Sequence, residues 1–369
     1  MEPKWKCRRV TTTNQDKTSR QTFFFLFLFY NFIFLDVKMT WIVPVIGGTY
    51  AITSIFFTKF PQYLPNVITN RPNWKKSRSL FPNCVHISHR GGCGESYENT
   101  LKAFQNAKNL GTEMMELDVH LTNDNIVVVS HDQNLARVTG RSLNIKECDF
   151  NELPKIQDQV PIDFEYKTIY QSSDKSEEHV AIPTLESIFE NFPNLSINID
   201  IKTYDETLID KVNDLITKYD REKLTVWGNF FDKTTQKCYQ TNPNIGLLFS
   251  VKRVVQLLVY FYLGILPYVT FQETHLEIPM PILAYKRYGQ DMTWKHKLVA
   301  NLADFLLMRK SLFEHLDYRG IKTYMWVLNS EEDFDRAFKD LKVTGVMTDY
   351  PTLLTNYLTK NPQILKKNE

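Results

Sequence analysis

From residue 84 onward, apolar positions fall into short continuous runs separated by stretches in which they recur every three or four residues. The runs are "CVHISH" (84–89), "EMMELDV" (113–119), "LSINIDI" (195–201), "LTVWGNF" (224–230), "IGLLFS" (245–250), "THLEIP" (274–279), "TYMWVL" (323–328) and "GVMTDY" (345–350). After the first, "ENTLKAFQNAKNLG" places Leu101, Phe104, Ala107 and Leu110 at helical spacing and stops at Gly111. Eight apolar strands alternating with helices predict a parallel sheet buried on both faces. Its most economical closure is a (β/α)8 TIM barrel, and an open doubly wound sheet is the rival.

One apolar run breaks the alternation. "IVVVSHD" (126–132) follows strand two after a gap too short for a parallel crossover, and Asn123-Asp124-Asn125 supplies turn chemistry. It is expected to pair antiparallel with strand two, opening an insertion over 123–183 whose "QSSDKSEEH" (171–179) is an exposed loop. The barrel domain is expected to span 84–358, with a tail over 359–369.

The N-terminal region has a different pattern. "MTWIVPVIGGTYAITSIFFT" (39–58) holds no charge over 20 positions, the length that predicts a transmembrane helix. Lys59, Arg71, Lys75, Lys76 and Arg78 make a basic linker over 59–83, which the positive-inside bias keeps in the cytosol. The apolar run at 22–35 is only 14 residues long, so 1–38 reads as an atypical extension and Met39 as an alternative start. A second apolar stretch, 254–271, cannot cross a membrane without dividing the barrel between compartments. It is expected at the membrane interface, with Lys252 and Arg253 toward headgroups.

Charge and composition narrow the classes. Lys plus Arg number 44 against 42 Asp plus Glu, a net +2 that gives no field for nucleic acid. The five scattered cysteines, Cys7, Cys84, Cys93, Cys148 and Cys238, fit free thiols in a reducing compartment. The expected place is an intracellular membrane such as the endoplasmic reticulum, with the barrel facing the cytosol.

Barrel chemistry gathers where strands end. His89 and Arg90 close the first strand, and Glu116 and Asp118 share one face of the second. Asp200 and Lys202 repeat that spacing on the third parallel strand, His131 arrives on the insertion, and Asn329 and Asp349 close the last two. Three carboxylates at one mouth call for a hard divalent cation, Mg²⁺ or Ca²⁺. Arg90 and Lys202 suit a phosphate, and the two histidines suit proton transfer. The class implied is metal-assisted phosphodiester cleavage. Trp326, at a strand end, is expected to touch substrate. Glu98 is a further candidate ligand or else a helix cap, and His86 and His120 read as packing or surface residues.

The ordered motifs are His89-Arg90-Gly91, Tyr97-Glu98-Asn99-Thr100, Glu116-Leu117-Asp118, His131-Asp132, Asp200-Ile201-Lys202, Trp326-Val327-Leu328-Asn329 and Gly345-Val346-Met347-Thr348-Asp349-Tyr350-Pro351. Together they resemble the glycerophosphodiester phosphodiesterase family over about residues 86–358. The resemblance implies a TIM barrel with an insertion, His89 and His131 as the acid/base pair, and metal held by Glu116, Asp118 and Asp200. Another reading within the family gives His131 to the metal. Tyr97 stands where proline is usual, which should loosen the backbone there. Asp200 is one methylene shorter than the common glutamate, so a bridging water is an alternative to direct contact.

The membrane features point to the lysophospholipase D branch, which acts on lysophosphatidylcholine, lysophosphatidylethanolamine and N-acyl-lysophosphatidylethanolamine. The alternatives are a diesterase for deacylated glycerophosphodiesters and a non-catalytic lipid-binding scaffold.

Overall fold

The computed structural model describes residues 39–63, 81–163, 165, 167–174, 176–283 and 293–366. The expected extension 1–38 and most of the basic linker lie outside them. The chain divides into two compact units, one up to Thr53 and one from Ser54 onward.

The apolar N-terminal stretch does form a helix, Met39–Lys59. Among the described residues, however, no helix is long and apolar enough to cross a membrane. The expected span over 39–58 is thus corrected to a helix without a demonstrated crossing. A span takes about 20 predominantly apolar residues, and this helix carries Gly47-Gly48-Thr49 and Thr53-Ser54 inside it and ends on Lys59.

The second unit holds a barrel. Its strands are β1 His86–Ser88, β2 Met114–Leu121, β6 Ser196–Ile201, β7 Thr225–Gly228, β8 Gly246–Leu247, β9 His275–Pro279, β10 Lys322–Trp326 and β11 Gly345–Thr348. They follow the order β8-β7-β6-β2-β1-β11-β10-β9 and pair in parallel. A parallel bridge from Leu248 to His275 joins the two ends, so the sheet closes as a TIM barrel and the open-sheet rival falls away.

Burial explains the continuous apolar runs. Ile87, Met114, Val226, Tyr324 and Met347 pack inside the barrel. On the outside, Leu117, Ile197 and Ile199 pack against the helices Leu101–Asn109, Leu185–Asn191 and Glu206–Lys218. Strands covered on both faces carry apolar residues on both, and the polar positions that do alternate on β2 and β6, Glu116, Asn198 and Asp200 among them, line the cavity.

Beside the barrel, β3 (Val127–Val129) pairs antiparallel with β2, Val119 opposite Val129. Further along the inserted segment, β4 (Gln159–Pro161) and β5 (Ile169–Gln171) form a separate hairpin. Tyr97 fastens this segment: its buried hydroxyl donates to Asp158 O at 2.8 Å and accepts from Ser172 N at 3.1 Å. At the position where the family usually has proline, Tyr97 thus adds a side-chain clasp.

The apolar stretch 254–271 divides in two. Its first part belongs to the amphipathic helix Val251–Tyr262, whereas Leu266 and Phe271 are core residues.

Candidate active site

The turn leaving β1 sets the site. Arg90 takes a left-handed φ of 51°, Gly92 one of 94°, and Gly92 N donates to His89 O at 2.8 Å. A Cβ on Gly92 would stand 2.5 Å from Pro351 Cγ, so only glycine lets β1 end against the last major helix, Pro351–Lys360. Thr100 caps the helix Leu101–Asn109 by accepting from Ala103 N at 3.2 Å. The helix-cap reading of Glu98 is corrected accordingly. Glu98 is instead buried between Arg90 (3.0 Å) and Arg137 (2.7 Å).

His89 is nearly fully buried, and its Nδ1 lies 2.6 Å from Asp349 Oδ1 while Nε2 points toward Glu116 Oε2 at 3.9 Å. Burial, then the Arg90 charge, pulls His89 below the usual histidine range against the opposing pull of Asp349. Burial works against ionised Asp349, but His89, with bonds from Cys93 and Asn329, holds it down at about 2. Cys93 Sγ donates to Asp349 Oδ1 at 2.8 Å and Asn329 Nδ2 to Oδ2 at 2.8 Å.

Strands β2 and β6 run in register, Asp118 beside Asp200 and Glu116 beside Asn198. Burial pushes Glu116 well above the ordinary carboxylate range, and the neighbouring Asp118 adds to it. Burial also opposes charge on Asp118, but Lys202 and Arg90 outweigh it and hold that carboxyl well below its usual range. Lys202 Nζ lies between two carboxylates, 2.8 Å from Asp118 Oδ1 and 2.6 Å from Asp200 Oδ2. Asn229 Nδ2 donates to the other Asp200 oxygen at 2.8 Å.

His131 presents Nδ1 to Asp132 Oδ1 at 2.6 Å, and Asp132 is held by Arg137 at 2.7 Å. His120 is buried, and its Nε2 lies 3.1 Å from the His131 carbonyl, so it packs beneath the site.

His89, Arg90, Glu116, His131, Asp200, Lys202 and Trp326 line one cavity of about 90 Å³ at the C-terminal ends of the strands. Asp118 and Glu98 stand behind this wall. The guanidinium of Arg90, expected to hold a phosphate, is engaged by Glu98, by Asp163 at 2.9 Å and by Asp118 at 3.5 Å.

Glu277 of β9 also lines the cavity, and Asn198 Nδ2 donates to both its oxygens at 2.7 and 2.8 Å. Burial raises Glu277 to about 8, opposed by the Asn198 bonds and reinforced by Asp200. Sequence reasoning missed it, although a lone acid inside the apolar "THLEIP" was the available signal. Asp163, in the inserted segment, gave none.

The donor set suits a hard cation. Glu116, Asp200 and Glu277 bring carboxyl groups to one buried space, and the first and last are pushed toward their neutral forms, a cost that a divalent ion would remove. The expected trio of Glu116, Asp118 and Asp200 is nevertheless spanned by Lys202. The potential ligand groups gathered within 4.8 Å are His89-Cys93-Asp349 and His131-Asp132-Asp163, among the described residues.

Residues 89–353 match the glycerophosphoryl diester phosphodiesterase family. The chain is 45% identical to lysophospholipase D GDPD1 of Homo sapiens over 319 residues, covering 86% of this chain and 96% of that protein. It is 35% identical to lysophospholipase D GDPD3 of Mus musculus over 323 residues, covering 87% and 93%. In fold it resembles a glycerophosphodiester phosphodiesterase of Agrobacterium tumefaciens, with a TM-score of 0.52 at 18% identity, over 74% of this chain and 99% of that one.

Proposed function

Because the chain belongs to the glycerophosphoryl diester phosphodiesterase family, we propose that it acts as a lysophospholipase D, releasing the headgroup alcohol from lysophospholipids and leaving lysophosphatidic acid. The substrate class comes from the relatives, two lysophospholipases D that match nearly end to end. The observation that carries the chemistry is that His89, His131, Glu116 and Asp200 line one cavity.

His89 is the base in this reading. Asp349 on Nδ1 fixes the tautomer, so Nε2 carries the lone pair, and a lowered pKa keeps the ring neutral at physiological pH. Nε2 takes the proton of the glycerol hydroxyl beside the phosphate, whose oxygen attacks phosphorus. As the bond to the headgroup oxygen breaks, His131 gives that oxygen a proton, with Asp132 and Arg137 holding the ring in place. The cyclic phosphate then opens with water, the histidines reversing roles.

Mg²⁺ or Ca²⁺ would be held by Glu116 and Asp200, with Glu277 beside them and Asp118 behind them, paired with Lys202. When bound, it polarises a phosphoryl oxygen and offsets developing charge. Trp326 and Phe230, rings 5.5 Å apart at the cavity edge, would form the apolar wall against the substrate. The second reading, suggested by the family's name, is a deacylated glycerophosphodiester substrate.

The reading extends to attachment of the chain at an intracellular membrane such as the endoplasmic reticulum, through the helix Met39–Lys59, with the barrel in the cytosol. Its support is the apolar make-up of that helix and the free, buried state of Cys84, Cys93, Cys148 and Cys238. Protease protection of intact microsomes tests it: a barrel shielded from added protease would refute the orientation.

The function test uses purified chain and lysophosphatidylcholine. Choline and lysophosphatidic acid should appear together and vanish with chelator or His89→Ala. Faster turnover of glycerophosphocholine would favour the second reading, and equal turnover of diacyl and monoacyl lipid would refute the internal attack.

A further inference from the structure

Large apolar side chains on the outside of the second unit form ordered rows. Val251, Val255, Val259 and Tyr262, 47 to 55% exposed, follow the spacing i, i+4, i+8, i+11 on the helix Val251–Tyr262. Trp294, Leu298, Leu302 and Phe305, 55 to 69% exposed, repeat that spacing on the helix Trp294–Leu307. Single exposed apolar residues are ordinary, but two complete helical stripes are not.

The rows are joined to each other and to the cavity. Tyr262 OH donates to Leu306 O at 2.7 Å and accepts from Arg309 Nε at 3.1 Å. At the other end, Val251 N donates to the carbonyl of Phe230, a cavity-lining residue, at 3.0 Å, and the neighbouring Phe231 is 71% exposed. Both helices enter the fold after the C-terminal ends of strands, β8 and β9, the end at which the cavity opens.

Charge identifies the occupant. Lys252, Lys295, Lys297, Arg309 and Lys310 stand on or beside the rows, Lys252 paired with Asp232 and Lys310 with Glu314, whereas Asp304, the one acidic residue in the two helices, is paired with Arg336. Trp294 heads one row and Tyr262 ends the other, and Arg309 covers the Phe305 ring at 3.8 Å. An apolar stripe with aromatic ends and a cationic border suits the boundary of an anionic lipid bilayer.

We propose that these two helices dock the barrel directly on an anionic lipid surface, setting the Phe230 rim against it. A lysophospholipid then reaches the cavity without passing through water. The use of the surface rests on the lysophospholipase D reading, though its geometry does not.

The test takes the full chain with vesicles of phosphatidylcholine and phosphatidylserine carrying a diazirine phospholipid, irradiated and mapped by mass spectrometry. Lipid adducts are expected in peptides from 251–263 and 294–309 but not in the helix Glu206–Lys218. Adducts confined to Met39–Lys59, or protein cross-links in place of lipid on the two rows, would overturn the proposal. Its functional arm is the exposed pair Val255→Glu with Leu302→Glu. This variant should lose about tenfold or more in kcat/KM on vesicle-borne lysophosphatidylcholine while hydrolysing monomeric hexanoyl-lysophosphatidylcholine unchanged. Undiminished turnover on vesicles would overturn docking. Absence of turnover on both substrates by the unaltered chain would instead sink the enzymatic reading, with the adduct map still deciding the surface.

Discussion

A buried carboxylate 2.6 Å from His89 Nδ1 decides which imidazole nitrogen holds the proton and where the other points. Asp349→Asn keeps the shape but allows the wrong tautomer. We expect kcat on lysophosphatidylcholine to fall by about 10²–10⁴-fold with KM little changed, the size of a lost general base; an unchanged kcat would remove Asp349 from the mechanism. This pairing shows what single residues reveal in sequence. His89 and Glu116 were legible because their local motifs and strand ends announce them. Asp349 was legible as a strand end, but its partner lies 260 residues earlier, a link that only closure of β1 against β11 creates. Arg90 was legible as a residue of the cavity but its partners were not: Asp163, from an insertion without any motif, meets its guanidinium at 2.9 Å. Glu277 was overlooked because its strand reads as core.

At the level of elements, the period-2 rule put Glu116 with Asp118, and Asp200 with Lys202, on shared faces of their strands. The parallel register then sets Asp118 beside Asp200, with Lys202 Nζ within 2.8 Å of both carboxylates. Spacing alone does not give such a register, which is why the sequence suggested three carboxylates around a cation and the fold adds an internal ammonium. Lys202→Met leaves buried Asp118 without its strongest compensating charge. Breaking such a pair costs about 3–5 kcal/mol, so Tm should drop in chelator and recover in large part with Mg²⁺ or Ca²⁺. A calorimetric scan showing the same loss with and without the ions would argue that no cation reaches these carboxylates. The eight barrel strands were legible from their apolar runs, even β8 with two paired residues, because burial on both faces leaves a continuous signal. The hairpin of β4 and β5 was not, since both strands are short and mostly exposed.

For the whole molecule, two sets of buried groups pull stability in opposite directions with pH. His86, His275 and His315 are lowered by burial to about 4, about 3 and about 3, with Arg319 reinforcing the shift at His315 and Lys322 that at His275. Their unfolded value is near 6.5, so below that pH the unfolded chain binds more protons. The stability they contribute is present above about 6.5 and is lost as pH falls toward 4, each histidine adding a slope of at most about 1.4 kcal/mol per pH unit. Glu116 and Glu277 act in reverse: folding raises Glu277 to about 8 and Glu116 well above the carboxylate range. Their contribution is complete below about 4.5 and is lost as pH rises through the folded values. The carboxylates held low, Asp118, Asp132 and Asp349, change the balance only at lower pH still. Between pH 5 and 6.5 in chelator the two sets oppose each other, but the histidines, joined by the lowered His89, outnumber the glutamates, so the urea midpoint should rise across this window. A divalent cation needs the glutamates ionised, so its binding expels their protons and removes the opposing contribution. The rise in Tm produced by Mg²⁺ or Ca²⁺ should therefore grow from pH 5 to pH 8, and Glu277→Gln should flatten that growth. A cation-induced shift equal at both pH values would mean that neither glutamate faces the ion, and the cavity would have to work through its histidines alone.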